Sequence, residues 1–316
     1  MAITTSKNSL LKVLRAIGED TRVRILHILS FADFSVAELV EILEMGQSRV
    51  SRHLKILQDA GLLSSRREGS WVYYGLLEFT ENEPASEFLK LVLDFKEEIP
   101  NRVRDQKRAL ETSKQRLETT NSFFNSIASD WESIQEEVLS PKVYRSVVQQ
   151  YLPKSSDLVI DMGCGAGGLI PYLLASNSKQ ILGVDSSSEM TKIANTEFGN
   201  IPGVRFLTSP LENLSIPDSS ADAVVCSMVL HHVSRPPEAL SEMIRVLKVG
   251  GIFVLVELEK HNQEFMREKF HDLWMGFDQD LLFHWLTSAG LKILDNDTIT
   301  TNTQFRIHTI KAIKES

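Results

Sequence analysis

The 316-residue chain has only two cysteines, Cys164 and Cys226, too few for a disulfide framework and consistent with a reducing compartment. No stretch approaches the ~20 consecutive apolar residues of a membrane-spanning helix. Residues Met1 to Leu14 lack the basic start, apolar centre and small-residue cleavage site of a secretory signal. These absences exclude a disulfide-stapled secreted scaffold and a membrane protein, and the expected location is the cytoplasm. Excess charge of either sign is missing from the N-terminal part: residues 1–79 carry 10 basic and 9 acidic side chains. The net charge of −8 arises in residues 123–316, where 16 basic residues face 24 acidic ones. Nucleic-acid binding is therefore expected, if anywhere, near the N-terminus.

What is present there has helical and turn punctuation. Leu10 to Ile17 and Thr21 to Leu29 read as two short helices broken at Gly18. Ser35-Val36-Ala37-Glu38 is a capping box, and Val36, Leu39, Val40 and Leu43 follow on one buried stripe. Met45-Gly46 ends that helix. A second helix starts near Gln47 with Val50, Leu54 and Leu57 facing inward, while Ser48, Ser51, Arg52 and Lys55 share the opposite side. Two helices joined by a tight turn, the second with a polar and basic outer face, make a helix-turn-helix able to reach base edges and phosphates. A β-ribbon follows: Leu63 to Arg67, a turn at Glu68-Gly69, then Trp71 to Leu77, with Arg66 and Arg67 beside the turn. Gln47, Ser48, Arg49, Ser51, Arg52, His53, Lys55, Arg66 and Arg67 are the candidate DNA contacts.

The run Ser48-Arg49-Val50-Ser51-Arg52-His53-Leu54-Lys55-Ile56-Leu57, then Ala60-Gly61-Leu62-Leu63, then Arg66 through Tyr74, resembles the recognition helix and wing of ArsR-type regulators. The resemblance implies a homodimer on a pseudo-palindromic double-stranded operator, usually as a repressor. Many relatives sense metals through cysteines on the helix before the recognition helix. Ser35 to Leu43 contains none, so no metal site is expected there.

Residues 80–122 read as a helical connector. Phe88, Leu91, Val92, Phe95 and Ile99 form an apolar stripe, Pro100 interrupts it, and Val103, Leu110 and Leu117 continue at sevens among charges. Either the stripe packs on its own domain or it pairs two chains. Dimerisation is the preferred reading, because the polar run to Thr120 leaves little local core.

From residue 123 to 316, hydrophobic runs alternate with helical stretches: Leu158 to Asp161, Ile181 to Asp185, Val204 to Leu207, Ala223 to Ser227 and Ile252 to Leu258. That alternation predicts a doubly wound parallel sheet, so the fold is α/β overall, with a winged helix-turn-helix before a Rossmann-like sheet. The first run ends in Asp161-Met162-Gly163-Cys164-Gly165-Ala166-Gly167-Gly168, where glycines let backbone turn sharply and approach a ligand. Asp185, at the tip of the second strand, could take both ribose hydroxyls. Gly163, Gly165 and Gly168 also satisfy a dinucleotide fingerprint, so the loop alone leaves a dehydrogenase open.

The later sequence resolves that ambiguity by resemblance. Asp222 through His232, Pro237 to Leu247, and Lys248-Val249-Gly250-Gly251 before a strand resemble class I methyltransferases in order and spacing. Phe123-Phe124-Asn125 through Asp130-Trp131, His261 to Met266, and Trp274 through Gly290 are similar to fusions of an ArsR-type domain with such a methyltransferase. The resemblance implies a cofactor, S-adenosylmethionine or S-adenosylhomocysteine. It gives Asp161 the amino end, the Gly163–Gly167 loop (Gly163, Cys164, Gly165, Gly167) the methionine and ribose part, and Asp185 the ribose. Where many relatives carry an adenine-binding Asp, this chain has Pro210; the Leu211 backbone N–H or Glu212 remains to meet the ring.

His231 and His232 are the candidate catalytic residues, sited where a methyl group would be presented. Metal binding by the pair is not expected, because no third ligand has helpful spacing, and arsenite methylation is disfavoured for want of several thiolates. Two functions stay open. In one, the C-terminal domain senses the cofactor and alters operator affinity. In the other, it methylates a small molecule while the winged domain regulates its own operon. The sensor is preferred here, on Pro210 and on the lack of an evident acceptor site.

Overall fold

The computed structural model describes residues 9–68, 71–77 and 84–315. Gly69 and Ser70 of the expected wing turn, the expected boundary at 79–80, and residues 1–8 of the segment read for a secretory signal lie outside the described residues. The chain separates into two compact units, Met1–Leu117 and Glu118–Ser316.

The first unit begins with α1 (Ser9–Ile17) and α2 (Asp20–Leu29), and the latter starts where the Glu19 carboxylate accepts from Arg22 N at 3.0 Å. A two-residue β1 (Phe34–Ser35) leads into α3 (Val36–Leu43). Its capping box closes in both directions: Glu38 N donates to Ser35 Oγ at 3.3 Å, and Ser35 N to the Glu38 carboxylate at 2.7 Å. Glu44, at φ 53°, ends the helix in the left-handed conformation and turns the chain into α4 (Gln47–Asp59). The ribbon is β2 (Leu63–Glu68) with β3 (Trp71–Leu76), antiparallel from Leu63 opposite Leu76 to Glu68 opposite Trp71, and β1 adds to the other edge of β3. Ile25, Leu39, Val50, Leu54 and Leu57 are fully buried at the centre. The expected helix-turn-helix and its inward stripe are therefore present.

Then come α5 (Pro84–Asp94) and, after a 3₁₀ turn, α6 (Arg102–Ile127), within which the boundary between the units falls. Ala85, Leu89 and Ala109 join the first unit's core, more local packing than the polar sequence suggested. Asp105 is completely buried and takes a bidentate pair from Arg24, at 2.6 and 3.1 Å. Other positions of the stripe stay exposed: Leu91, Phe95, Val103 and Leu110, along with Leu10, Leu11 and Leu14 on α1, which packs beside α5.

The second unit contains α7 (Trp131–Val138), α8 (Lys142–Tyr151), β4 (Ser156–Met162), α9 (Ile170–Leu174), β5 (Ser178–Asp185), α10 (Ser188–Phe198), β6 (Val204–Thr208) and β7 (Ala221–Ser227). It continues through α11 (Pro236–Val246), β8 (Leu247–Leu258), α12 (Glu264–Phe270), α13 (Gln279–Ser288), β9 (Leu291–Thr300) and β10 (Arg306–Lys314). Seven strands form one sheet in the order β6-β5-β4-β7-β8-β10-β9. The five anticipated strands are parallel, and β10 is antiparallel to β8 and to β9. Strand order reverses direction at β4, between β5 and β7, the crevice where open α/β sheets place ligands. Apolar layers cover both sheet faces, one centred on Ile160, Val224 and Phe253, the other on Val159, Val225 and Val254. Among the described residues no helix is long and apolar enough to cross a membrane.

Candidate functional site

On α4, burial at Val50, Leu54 and Leu57 forces the intervening positions outward. Gln47, Ser48, Arg49, Ser51, Arg52 and Lys55 are all exposed, and Lys55 pairs with Asp59 one turn on, at 2.7 Å. His53 and Arg66 differ. His53 sits 3.5 Å from Glu19, half-buried, with its pKa lowered by burial despite the nearby carboxylate. It lies toward α2 rather than on the outer face, because it falls one residue before Leu54. Arg66 alternates inward on β2: its guanidinium lies 4.6 Å from the Tyr73 ring centre and 3.4 Å from Asp33. The expectation that both wing arginines face a phosphate backbone is thus corrected. Arg66 is engaged inside its own unit, and Arg67, next along the strand, is the exposed one.

The cofactor candidates converge at the ends of β4 and β5. Gly163 N and Cys164 N both donate to Val184 O, at 2.7 and 2.9 Å, pinning the start of the loop to the neighbouring strand. Gly163 has φ +75°, and a Cβ there would fall 2.4 Å from Val229, so neither its conformation nor its space admits a side chain. Cys164 contributes backbone only. Its buried thiol faces Gly183, where an added Cβ would come within 2.9 Å of the sulfur, and burial pushes its pKa well up. Asp185 already accepts from Gly165 N at 2.9 Å and Ser187 N at 2.8 Å. Ser187 and its neighbour Ser186 are in turn fixed by side-chain bonds to Asn125 and Asn121, at 2.7 and 2.8 Å.

Asp161 is the most telling of the set. It is buried, its Oδ2 has no hydrogen-bond partner, and burial raises its pKa to about 7, with Arg145 opposing and Asp185 adding to the rise. A buried carboxylate oxygen without a donor is costly, and a ligand ammonium group would supply one. The residues present therefore fit a cofactor with a cationic amino end. Leu211 is buried and Pro210 exposed, while Glu212 is half-buried with its pKa raised by burial. No carboxylate stands at the position of Pro210.

Beside the glycine loop lies a small cavity of about 40 Å³, lined by Trp131, Leu139, Tyr144, Met228, Met266 and Phe270, with Gln135, His231, His232 and Asp272 as its polar lining. Trp131 also faces Gly165, 3.8 Å from where its Cβ would be, so the cavity and the loop share a wall. His231 Nδ1 is 2.6 Å from Glu257 Oε1 in full burial. Burial alone would lower the His231 pKa, but the carboxylates of Glu257 and Asp272 outweigh it and push it up to about 9. His232 is driven well below the usual range by burial and by the charge on His231. The two candidates that sequence left equivalent are thus separated: His231, paired with Glu257, is the more basic imidazole, while His232 is held neutral and resists taking up a proton. Asp272 and Glu257 were missed by sequence reasoning. Asp272 is brought to His232, Nδ1 to Oδ1 at 3.5 Å, because Leu273 N and Trp274 N both donate to His231 O, at 2.8 and 3.0 Å. The spacing of 40 residues gave no signal for it.

Comparison with known proteins agrees with both halves. Residues 19–65 match the model for bacterial regulatory proteins of the arsR family, and residues 160–255 match a methyltransferase-domain model. The chain is 29% identical over 164 residues to the demethylmenaquinone methyltransferase of Symbiobacterium thermophilum, covering 49% of this chain and 65% of that protein. It is 30% identical over 162 residues to the ubiquinone/menaquinone biosynthesis C-methyltransferase UbiE of Campylobacter jejuni, covering 47% of this chain and 67% of that one. Of the uncharacterized methyltransferase YcgJ from Bacillus subtilis it spans 40%, at 35% identity. The chain thus spans less than two thirds of the length of several curated relatives. Among solved structures, a chain from the complex of the Haloferax volcanii Trm112 methyltransferase activator with a methyltransferase superposes with a TM-score of 0.51 at 19% identity, over 61% of this chain and 98% of that one. That likeness concerns the fold. With an arsR-family model on the first unit and methyltransferase relatives on the second, the chain belongs to the proteins that join an ArsR-type helix-turn-helix domain to a class I S-adenosylmethionine-dependent methyltransferase domain.

Proposed function

We propose that the chain is a DNA-binding regulator whose second unit uses S-adenosylmethionine to methylate an apolar small molecule. One observation carries the enzymatic part: the small cavity beside the glycine loop, apolar around most of its lining, with Gln135, His231, His232 and Asp272 as polar groups. Methyl transfer from a sulfonium chiefly requires in-line placement of donor and acceptor, and an apolar pocket sharing a wall with the donor loop supports that placement. An apolar ring acceptor with a polar atom, such as a phenol or quinol, matches the chemistry of this lining and would enter as the cavity widens around it. Two similar proteins are a demethylmenaquinone methyltransferase and a ubiquinone/menaquinone biosynthesis C-methyltransferase, which favours an acceptor of this type.

Asp161 would meet the cofactor's amino group, the Gly163–Gly167 backbone its methionine portion, and Asp185 its ribose hydroxyls. When bound, the cofactor supplies an electrophilic methyl group. The protein would exclude water with Trp131, Met228 and Phe270 and place the neutral His232 beside the acceptor as a hydrogen-bond partner. On the DNA side, Gln47, Ser48, Arg49, Ser51, Arg52 and Lys55 would meet a double-stranded operator with Arg67 at its flank. Exposed Leu91, Phe95, Val103 and Leu110, with Leu10, Leu11 and Leu14, suit a homodimer interface. Residues 80–122 remain assigned to that role, between a DNA-binding part at 1–79 and a methyltransferase part at 123–316. A cytoplasmic protein with no membrane partner accords with this reading.

The sensor alternative rested on Pro210 and on the want of an acceptor site. The cavity beside the donor loop offers a candidate acceptor site, which counters the second ground and leaves the first. Label supplied on the donor methyl group tests the choice. Transfer into an organic-soluble product by the wild type, and none by Asp185→Ala, supports the enzyme. A protein that binds the cofactor, transfers nothing, and changes its operator affinity between S-adenosylmethionine and S-adenosylhomocysteine is a sensor instead.

A further inference from the structure

We propose that His231, His232 and Asp272 form a binding site for a divalent transition-metal ion of the zinc type, set in the polar patch of the cavity. One potential ligand atom from each residue falls within a set whose members all lie within 4.8 Å of one another. His232 Nδ1 and Asp272 Oδ1 are already 3.5 Å apart. Four donors placed tetrahedrally about zinc at ~2.0–2.1 Å stand roughly 3.3–3.5 Å from each other, so that pair is at ligand spacing.

Unmet polar atoms provide the second observation. His232 Nδ1, both carboxylate oxygens of Asp272, and Glu257 Oε2 are buried without a hydrogen-bond partner. Asp272 is 1% exposed, so bulk solvent does not reach these atoms. Four such atoms around one patch would be expensive to leave unmet, and a single cation would engage several of them together. Hydrogen bonds among the groups account for only one contact, His231 to Glu257.

That contact has the form of a carboxylate–histidine pair behind a metal ligand. Glu257 Oε1 lies 2.6 Å from His231 Nδ1 and also accepts from Leu258 N at 2.7 Å, so its position is fixed. With one proton kept on Nδ1 by Glu257, the ion would displace the other from Nε2 and use that lone pair for coordination. The backbone bonds from Leu273 and Trp274 to His231 O tie the Asp272 segment to the histidine turn without any help from the ion. Two imidazoles and one carboxylate suit zinc, and also iron, cobalt or nickel, better than calcium or magnesium.

Three protein ligands leave open positions, and the cavity is where they would face. A phenolic or enolic oxygen could complete the shell, and its proton would then leave more readily. In that case the ion would prepare the acceptor, a task for which the neutral His232 is poorly suited. The location of the site rests on the cavity described above, but binding of the ion does not require that methyl transfer occur.

The test uses chelator-stripped full-length protein and Co²⁺ as a coloured probe, with neither cofactor nor acceptor added. One equivalent of Co²⁺ should give a ligand-field absorption band, and Asp272→Asn and His232→Gln should each weaken binding by at least ~10-fold. Thermal unfolding of the stripped variants checks that they fold. X-ray absorption on Zn²⁺-loaded wild type needs no variant and should show two imidazoles, oxygen and no sulfur in the first shell. Absence of a stoichiometric band, equal affinity in both folded variants, or sulfur ligation overturns the proposal. Absence of methyl transfer alone bears only on the enzymatic reading.

Discussion

The orphaned carboxylate of Asp161 makes cofactor affinity depend on pH in a way that can be worked out. Its pKa rises from 3.8 to about 7 on folding, chiefly through burial. Because the folded value exceeds the unfolded one, ionisation of Asp161 opposes folding, and the empty protein loses that much stability as pH climbs from about 4 to about 7. A bound ammonium group favours the ionised form, so cofactor binding below pH 7 must expel the carboxyl proton. With a pKa of about 7, roughly a tenth of the protein is ready-ionised at about pH 6 and nearly all at about pH 8. Because the ligand's own α-amino group titrates at about 7.7–8.0, affinity should rise about fivefold from about pH 6 to a maximum near pH 7.5, or about 1 kcal/mol, and fall above it. Calorimetry in buffers of different ionisation enthalpy reads this directly: release of nearly one proton per cofactor at about pH 6, and uptake of about half a proton near pH 8. Asp161→Asn should flatten the rise and abolish the proton release, with overall weaker binding. The same slope in Asp161→Asn, or no slope in the wild type, would refute the assignment of Asp161 to the ammonium group.

The remaining expectations concern the first unit. Asp105→Ala strands the buried Arg24 guanidinium and should cost about 3–5 kcal/mol, read as a fall in the denaturant midpoint of the N-terminal transition. An unchanged midpoint would mean that Arg24 finds water or another partner. Arg52→Ala should remove preference for the operator over random DNA, because Arg52 is exposed on the outer face of α4. The wing arginines should separate: Arg67→Ala should reduce the salt dependence of DNA binding by about one counterion, whereas Arg66→Ala should act mainly on stability through Asp33 and Tyr73. Equal loss of salt dependence in both variants would contradict the inward placement of Arg66.

What was legible in the sequence was local. The capping box at Ser35 and Glu38, the 3.6-residue stripe through Val50, Leu54 and Leu57, and the glycines after Asp161 each declare their structure within a few residues. The parallel strands were legible too, since burial on both faces writes a short continuous apolar run. β9 and β10 were not: Leu291–Thr300 is the edge strand, largely exposed and rich in Asp, Asn and Thr, and its pattern resembles a loop. The inward turn of Arg66 depends on Asp33, which is distant in sequence, and the partners of the histidine pair depend on β8 and on the segment after α12. Such pairings are set by tertiary contact, and no spacing rule announces them. The connector misled for a related reason, since Asp105 and Arg24 look like surface charges until each is seen to bury the other.

The Asp185 carboxylate is held by the amides of Gly165 and Ser187, so its position is set by the protein's own backbone. On the proposed placement, a pocket braced in this way would let donor and spent donor exchange without the loop melting and re-forming. Discrimination between them would then come from the one place where they differ, the methyl-bearing sulfur and the charge upon it. The ribose end would grip both alike, leaving preference to whatever faces the sulfur.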